Sequence, residues 1–169
     1  MSAWDALAMM ERRDARDGVY AEVDMLASWT GWAPFFEGAR SIDRLPGVYS
    51  MRSGDRIVYV GMAGERAGSG KSMPSGLRGR LARYTSGKAA ASGFGEAALD
   101  RALADVAFLR QQLAALEGGE ARRTTEWAKE AIRWHKVELR WTICTDADTA
   151  RALEDQVVRL LRPHGIWNR

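Results

Sequence analysis

Cysteine is almost missing from this chain: Cys144 is the only one among 169 residues, so no disulfide can form within it. Histidine is nearly as scarce. With His135 and His164 alone beside that cysteine, no cluster of nitrogen and sulfur ligands for zinc can be assembled, and a metal must be held by oxygen. No apolar run approaches the roughly 18 residues that a membrane-spanning helix needs. The opening stretch MSAWDALAMMERRDAR also lacks the basic-then-apolar pattern of a signal peptide. The expectation is a cytoplasmic protein with no membrane contact. Charge of one sign is lacking too, since 25 basic residues against 22 acidic leave only +3. What remains, 46% hydrophobic and 28% charged, is the composition of a soluble globular domain long enough to bury a real core.

The small net charge is unevenly distributed. Residues 1–39 carry three basic and seven acidic side chains, residues 40–88 carry ten and three, and residues 89–169 carry twelve of each. A positive excess confined to the second segment suggests an anionic partner for that face, or a solvated arginine-rich surface.

That segment opens on Pro46-Gly-Val-Tyr-Ser-Met-Arg-Ser-Gly-Asp-Arg-Ile-Val-Tyr-Val-Gly61. Val, Tyr and Ile bounded by Pro and Gly read as two strands, Gly47 to Arg52 and Arg56 to Val60. A three-residue turn at Ser53-Gly54-Asp55 would set Tyr49 directly opposite Tyr59, either as a cross-strand aromatic pair or as the start of a polar site. Before the hairpin, two short helices are expected, Trp4 to Arg16 and Val19 to Trp29, with Gly31 and Pro34 preventing any further helix there.

After the hairpin, Gly64 to Ser72 nearly spells a phosphate-binding P-loop. Five residues separate Gly64 from Gly70 where the motif needs four, Glu65 stands where a glycine is required, and Pro74 and Gly76 fall where its helix must begin. A Gly/Ser loop carrying Lys71 near an anionic partner is the better reading. A helix comes next, with Leu77, Leu81 and Tyr84 as its inner stripe and Arg80 one turn before Tyr84 on the same face.

Residues 93–135 read as a helical insertion. Phe94 to Glu117 is one amphipathic helix with Leu99, Leu103, Val106, Leu109, Leu113 and Leu116 on its apolar side, ended by Gly118-Gly119. Glu120 to His135 is a second, presenting Arg122, Arg123, Lys129 and Arg133. The pair buttresses the core, contacts DNA or meets a second subunit. Lys136 to Thr145 alternates as a strand, and Asp146 or Asp148 caps a last helix, Thr149 to Arg162. Glu154 falls within the apolar stripe of that helix. A carboxylate there needs a partner, because leaving it buried and unpaired costs several kcal/mol. The partner is either an arginine or a metal ion.

These residues together resemble the GIY-YIG nuclease family. Gly47-Val48-Tyr49 and Tyr59-Val60-Gly61 look like its two naming triplets, with Val for each Ile. Leu77, Arg80, Leu81 and Tyr84 match its Leu-x-x-Arg-Leu-x-x-Tyr helix, and Glu154 with Pro163 keeps the spacing of its metal-binding glutamate and following proline. Asn168, in Pro-x-x-x-Trp-Asn, resembles the ending of restriction-type members. The resemblance covers residues 47–84 and 136–168.

It implies an α+β fold: a small three-stranded, mainly antiparallel sheet flanked by helices, in the order β-β-α-insertion-β-α. The domain plan is an N-terminal helical extension (1–45), a core in two parts (46–92 and 136–169), and the insertion (93–135). The implied activity is endonucleolytic hydrolysis of DNA phosphodiesters with one Mg²⁺ or Mn²⁺ held by Glu154. Arg80 would neutralise charge on the phosphoryl oxygens. Tyr49 would be the general base, its phenol made more acidic by nearby cations, with Tyr59 and Tyr84 orienting base, water or phosphate and Asn168 at the site edge. Lys71, Arg78, Arg83 and Lys88 would contact the DNA backbone. A restriction-type homodimer competes with a repair or structure-specific nicking enzyme, and a non-catalytic DNA-binding module on the same fold is the third reading. A nuclease of this kind would be cytoplasmic, and nucleoid-associated when bound to DNA.

Overall fold

The computed structural model describes residues 3–64 and 75–169. Their core is a four-stranded antiparallel sheet in the order β1-β4-β2-β3, built from Ala33–Pro34 (β1), Gly47–Ser53 (β2), Arg56–Ala63 (β3) and Glu138–Ile143 (β4). The α+β class is as expected, but the sheet has four strands and not three. The extra strand, β1, is two residues long and ends in a proline, so its sequence carries no strand period. It exists because Ala33 and Pro34 lie beside Leu139 and Glu138 at the sheet edge, where a missing proline N–H costs no ladder bond.

Helices cover both faces. On one side lie α2 (Phe35–Ser41), α3 (Gly76–Thr85), α4 (Gly93–Leu103) and α6 (Thr124–Trp134), around a core of Tyr49, Met51, Leu77, Leu81, Tyr84, Phe94, Ile132 and Leu139. On the other, α1 (Ala3–Met25) and α7 (Ala147–Leu161) bury Val23, Ala150, Val157 and Leu161 against Val48 and Val60. Phe94 and Ile132 belong to the same apolar cluster as Tyr49, so the insertion supplies part of the main core. Among the described residues no helix is long and apolar enough to cross a membrane.

Two helix expectations change. The pair expected before residue 30 is a single helix, α1, because Gly18 sits on its exposed side and costs only about 1 kcal/mol of helix propensity there. The single helix expected over 94–117 is broken between α4 and α5 (Val106–Glu117), where Asp105 caps α5 by accepting the Ala107 N–H at 2.8 Å.

The hairpin also differs in register. Its turn is two residues, Gly54-Asp55, with Gly54 at φ +60°, a conformation that favours glycine. Met51, not Tyr49, therefore pairs with Tyr59, and Tyr49 pairs with Gly61. Because Arg52 pairs with Ile57, Val58 is an extra residue, a bulge that turns Val58 and Tyr59 toward the same core. Strand β3 is the sheet edge, and the C-terminal tail covers it. The Trp167 N–H donates to the Val58 carbonyl at 2.6 Å, and the Asn168 amide bonds both main-chain groups of Val60.

Candidate active site

Three tyrosines from three positions meet beneath α4. Tyr49 and Tyr84 are buried and their hydroxyls lie 2.9 Å apart. Tyr59, half-buried, stacks diagonally on Tyr49 with ring centroids 6.4 Å apart, and its hydroxyl and that of Tyr84 both lie near Gly93. Phe94 closes the cluster, packing edge-on to Tyr59 and Tyr84, and Trp167 stacks on its outer face at 6.0 Å. The arrangement depends on Gly61. An alanine Cβ there would fall 2.3 Å from the Tyr49 hydroxyl, so glycine opposite Tyr49 is what lets that ring lie flat across β3.

Arg80 and Glu154 come to this cluster from opposite faces of the sheet. Arg80 is exposed on α3, yet its charge acts on Tyr49, Tyr59 and Glu154 alike. Glu154 is half-buried on α7, with the Met62 main chain of β3 among the groups that act on its carboxylate. Its carboxyl is held above its ordinary range by burial first and by Asp155 second, against the pull of Arg80 and Arg151. An edge strand permits this meeting, since side chains from both layers can reach around β3.

Beside it lies an open cleft of about 610 Å³ at the end of β3, between the first turns of α3 and α7. Its polar walls are Arg80, Arg83 and Arg151, with no carboxylate among the described lining residues. Arg151 is not among the residues that the sequence reading singles out. It stands three residues before Glu154 and so on the same face of a helix, which is the signal that could have found it. Among the described residues none of these three guanidinium groups is closed by an ion pair.

The remaining expected positions divide. Arg83 lines this cleft, whereas Arg78 points to the far side of α3 and donates to the Arg40 carbonyl at 3.1 Å. Lys88 is exposed in the turn after α3 and lines neither side. Lys71, with the near-P-loop, lies outside the described residues. Asn168 is at the site edge, but its amide is committed to the main chain of Val60, donating to the carbonyl at 2.7 Å and accepting at 3.0 Å. It therefore holds β3 in place between Tyr59 and Gly61.

Of the cations expected to acidify Tyr49, Arg80 does pull in that direction, but burial outweighs it. Burial is the dominant influence and raises its phenol well above the ordinary value, with Tyr84 and Tyr59 adding to the rise and only Arg80 pulling the other way. Tyr59 is raised as well, by burial, then Tyr84, then Glu154, with Arg80 again opposing.

One carboxylate with no histidine or thiol beside it suits a hard cation that completes its shell with water and phosphate oxygens. Glu154, half-buried and not ion-paired among the described residues, fits that requirement. No protein-family model, curated protein or solved structure matches this chain.

Proposed function

We propose that this chain is a GIY-YIG-type nuclease, a divalent-metal-dependent endonuclease that hydrolyses DNA phosphodiesters. One observation carries the reading: Arg80, Tyr59 and Glu154, from α3, β3 and α7, act on one another electrostatically at a single sheet edge, beside a cleft walled by three arginines. Such a cleft suits a phosphate, and Arg80 is the guanidinium positioned to offset charge growing on its oxygens. Glu154 would hold Mg²⁺ or Mn²⁺, which when bound supplies Lewis-acid polarisation of the phosphate.

The phenol within reach of an attacking water is Tyr59 rather than Tyr49, because only Tyr59 meets solvent. Tyr49 acts through Tyr84, whose hydroxyl it bonds at 2.9 Å and whose charge acts on Tyr59. Glu154 is one of the influences keeping Tyr59 protonated, so offsetting that carboxylate's charge and the nearby Arg80 both favour a base role for Tyr59.

The test is incubation of supercoiled, linear duplex and single-stranded DNA with Mg²⁺ and with chelator, followed by mapping of the ends. Metal-dependent nicking that Glu154→Ala abolishes without loss of DNA binding is the expected outcome. Retained cleavage in that variant removes Glu154 from the site. Tyr59→Phe should lose about 10²- to 10⁴-fold in turnover, and Tyr49→Phe less. The reverse order would return the base role to Tyr49. A non-catalytic DNA-binding module is the second reading, favoured by the burial that keeps both phenols protonated. Tight binding with no cleavage under any divalent cation would select it. Paired double-strand ends would point to a restriction-type enzyme, and isolated nicks to a repair or structure-specific one.

A further inference from the structure

A second cleft lies on the other side of α3, enclosed by α2, α3 and α6, with a volume of about 680 Å³. Its functional walls are Arg40, Arg44, Arg78, Lys129 and Arg133, with Phe36 at its base and no carboxylate among the described lining residues. We propose that this cleft is a track for the phosphodiester backbone of nucleic acid flanking the reactive site, and that it binds that backbone without reading bases. The track rests on the nucleic-acid reading of the adjoining site but not on its catalytic step.

Three observations converge on that chemistry. The cations come from three separate elements, so the fold gathers them; no single charged helix face accounts for them. Arg40 and Arg44 are exposed at the end of α2 and in the loop after it. Arg78 reaches them from α3 and ties the wall together through the Arg40 carbonyl. Lys129 and Arg133 come from consecutive turns of α6, where Arg133 alone is partly neutralised, by Glu130. Next, the two basic clefts are neighbours that share a wall: Ser75 and Gly79, at the start of α3, line both. A chain of phosphates crossing that shared wall would pass from one arginine cluster to the other, which suits a polymer and exceeds what a single small anion needs. Finally, the only aromatic ring among the cleft's described residues is unavailable for stacking. Phe36 packs edge-on to Phe35 at 5.1 Å, and the Arg133 guanidinium lies over it at 5.2 Å. Single-strand binding that depends on bases needs an open aromatic platform, and none is offered here.

The measurement is the salt dependence of binding by the full chain, with chelator present, to a duplex and to a single strand of about 20 nucleotides, over roughly 50 to 200 mM salt. Arg40→Gln/Arg44→Gln/Lys129→Gln is compared with a control triple on other exposed faces, Arg12→Gln/Arg110→Gln/Arg159→Gln. On duplex, the slope of log K against log salt should fall by about 2 to 3 units in the cleft variant, near 0.9 per phosphate contact, and by less than about 1 in the control. A smaller fall on single strands, near 0.7 per contact, would accompany it. An unchanged slope in a cleft variant with the wild-type thermal midpoint overturns the track. So does a loss confined to vesicles of anionic lipid. Wild-type protein that cleaves while the slope is unchanged refutes the track alone. Binding with the expected slope change but no cleavage refutes the nuclease step and leaves the track standing. No nucleic-acid binding at all refutes both.

Discussion

Replacing Gly61 by alanine should cost this protein about 3 kcal/mol, because of one contact. A Cβ at position 61 would stand 2.3 Å from the Tyr49 hydroxyl and 2.5 Å from the ring carbon that bears it. Tyr49 has nowhere to go, being 1% exposed, with its hydroxyl 2.9 Å from that of Tyr84 and its ring stacked on Tyr59. Overpacking of this kind costs about 1–3 kcal/mol, and loss of the Tyr49–Tyr84 hydrogen bond about 1 kcal/mol more. In a chain of 169 residues, with each kcal/mol worth about 2–4 °C, the midpoint of thermal unfolding should fall by about 6–12 °C. Urea unfolding should show the same loss with an unchanged slope. Gly31→Ala is the control, since a Cβ there meets nothing within 4 Å, and it should stay within about 0.5 kcal/mol of the parent. In a Tyr49→Phe background the nearest clash is gone, so Gly61→Ala should cost measurably less, a coupling of at least about 0.5 kcal/mol. A Gly61→Ala protein as stable as the Gly31→Ala control, with no coupling to Tyr49→Phe, would refute the packing argument at the centre of the site.

Two further perturbations probe the edges of the site. Because the Glu154 carboxyl is raised in the folded state, the folded protein binds its proton more tightly than the unfolded chain does, so its ionisation lowers stability as pH rises above the ordinary carboxyl value near 4.5. Glu154→Gln should therefore be more stable than the parent at neutral pH, with the advantage vanishing below about pH 4, as urea titrations across pH would show; a constant difference at all pH values would contradict the burial argument. Asn168→Asp should be worse than Asn168→Ala, since it removes the donor to the Val60 carbonyl and turns a carboxylate toward it. A loss of about 1–3 kcal/mol, with faster amide exchange along β3, is expected, and equal stability of the two variants would deny Asn168 its place against the edge strand.

Local signals survived the passage from sequence to structure, and long-range ones did not. The α3 stripe was legible because Leu77, Leu81 and Tyr84 repeat at helical spacing and all three are buried. The alternation over β4 was equally plain. Strand register in the hairpin was not legible, since it turns on whether Ser53 joins the loop and on the bulge at Val58. Both are fixed by partners far along the chain: Ser53 donates to the His135 carbonyl at 2.8 Å, and Trp167 bonds Val58. Periodicity likewise located the apolar side of α5 without saying what covers it. Val106 and Leu113 are more than half exposed there, while Phe108 and Gln112, off the expected stripe, are the buried pair.

The functional positions show the same division at finer scale. A motif at fixed spacing identifies which residues could act together, but the order of their acidities depends on depth, which spacing does not encode. Tyr49 and Tyr59 are equivalent in sequence terms, each a tyrosine in a Gly/Val triplet on one hairpin. The fold separates them by two residues of register, one from the turn and one from the bulge. Pairing with Gly61 puts Tyr49 under the helices and against Tyr84, whereas pairing with Met51 at the bulge leaves Tyr59 at the edge, facing Arg80 and Glu154. Had the turn been three residues long and the strand without its bulge, the two rings would lie directly opposite one another, and glycine at 61 would have no ring to accommodate. The small residue closing the second triplet is thus tied physically to the tyrosine of the first, which is why the Gly61 substitution tests the assignment of roles as well as the packing.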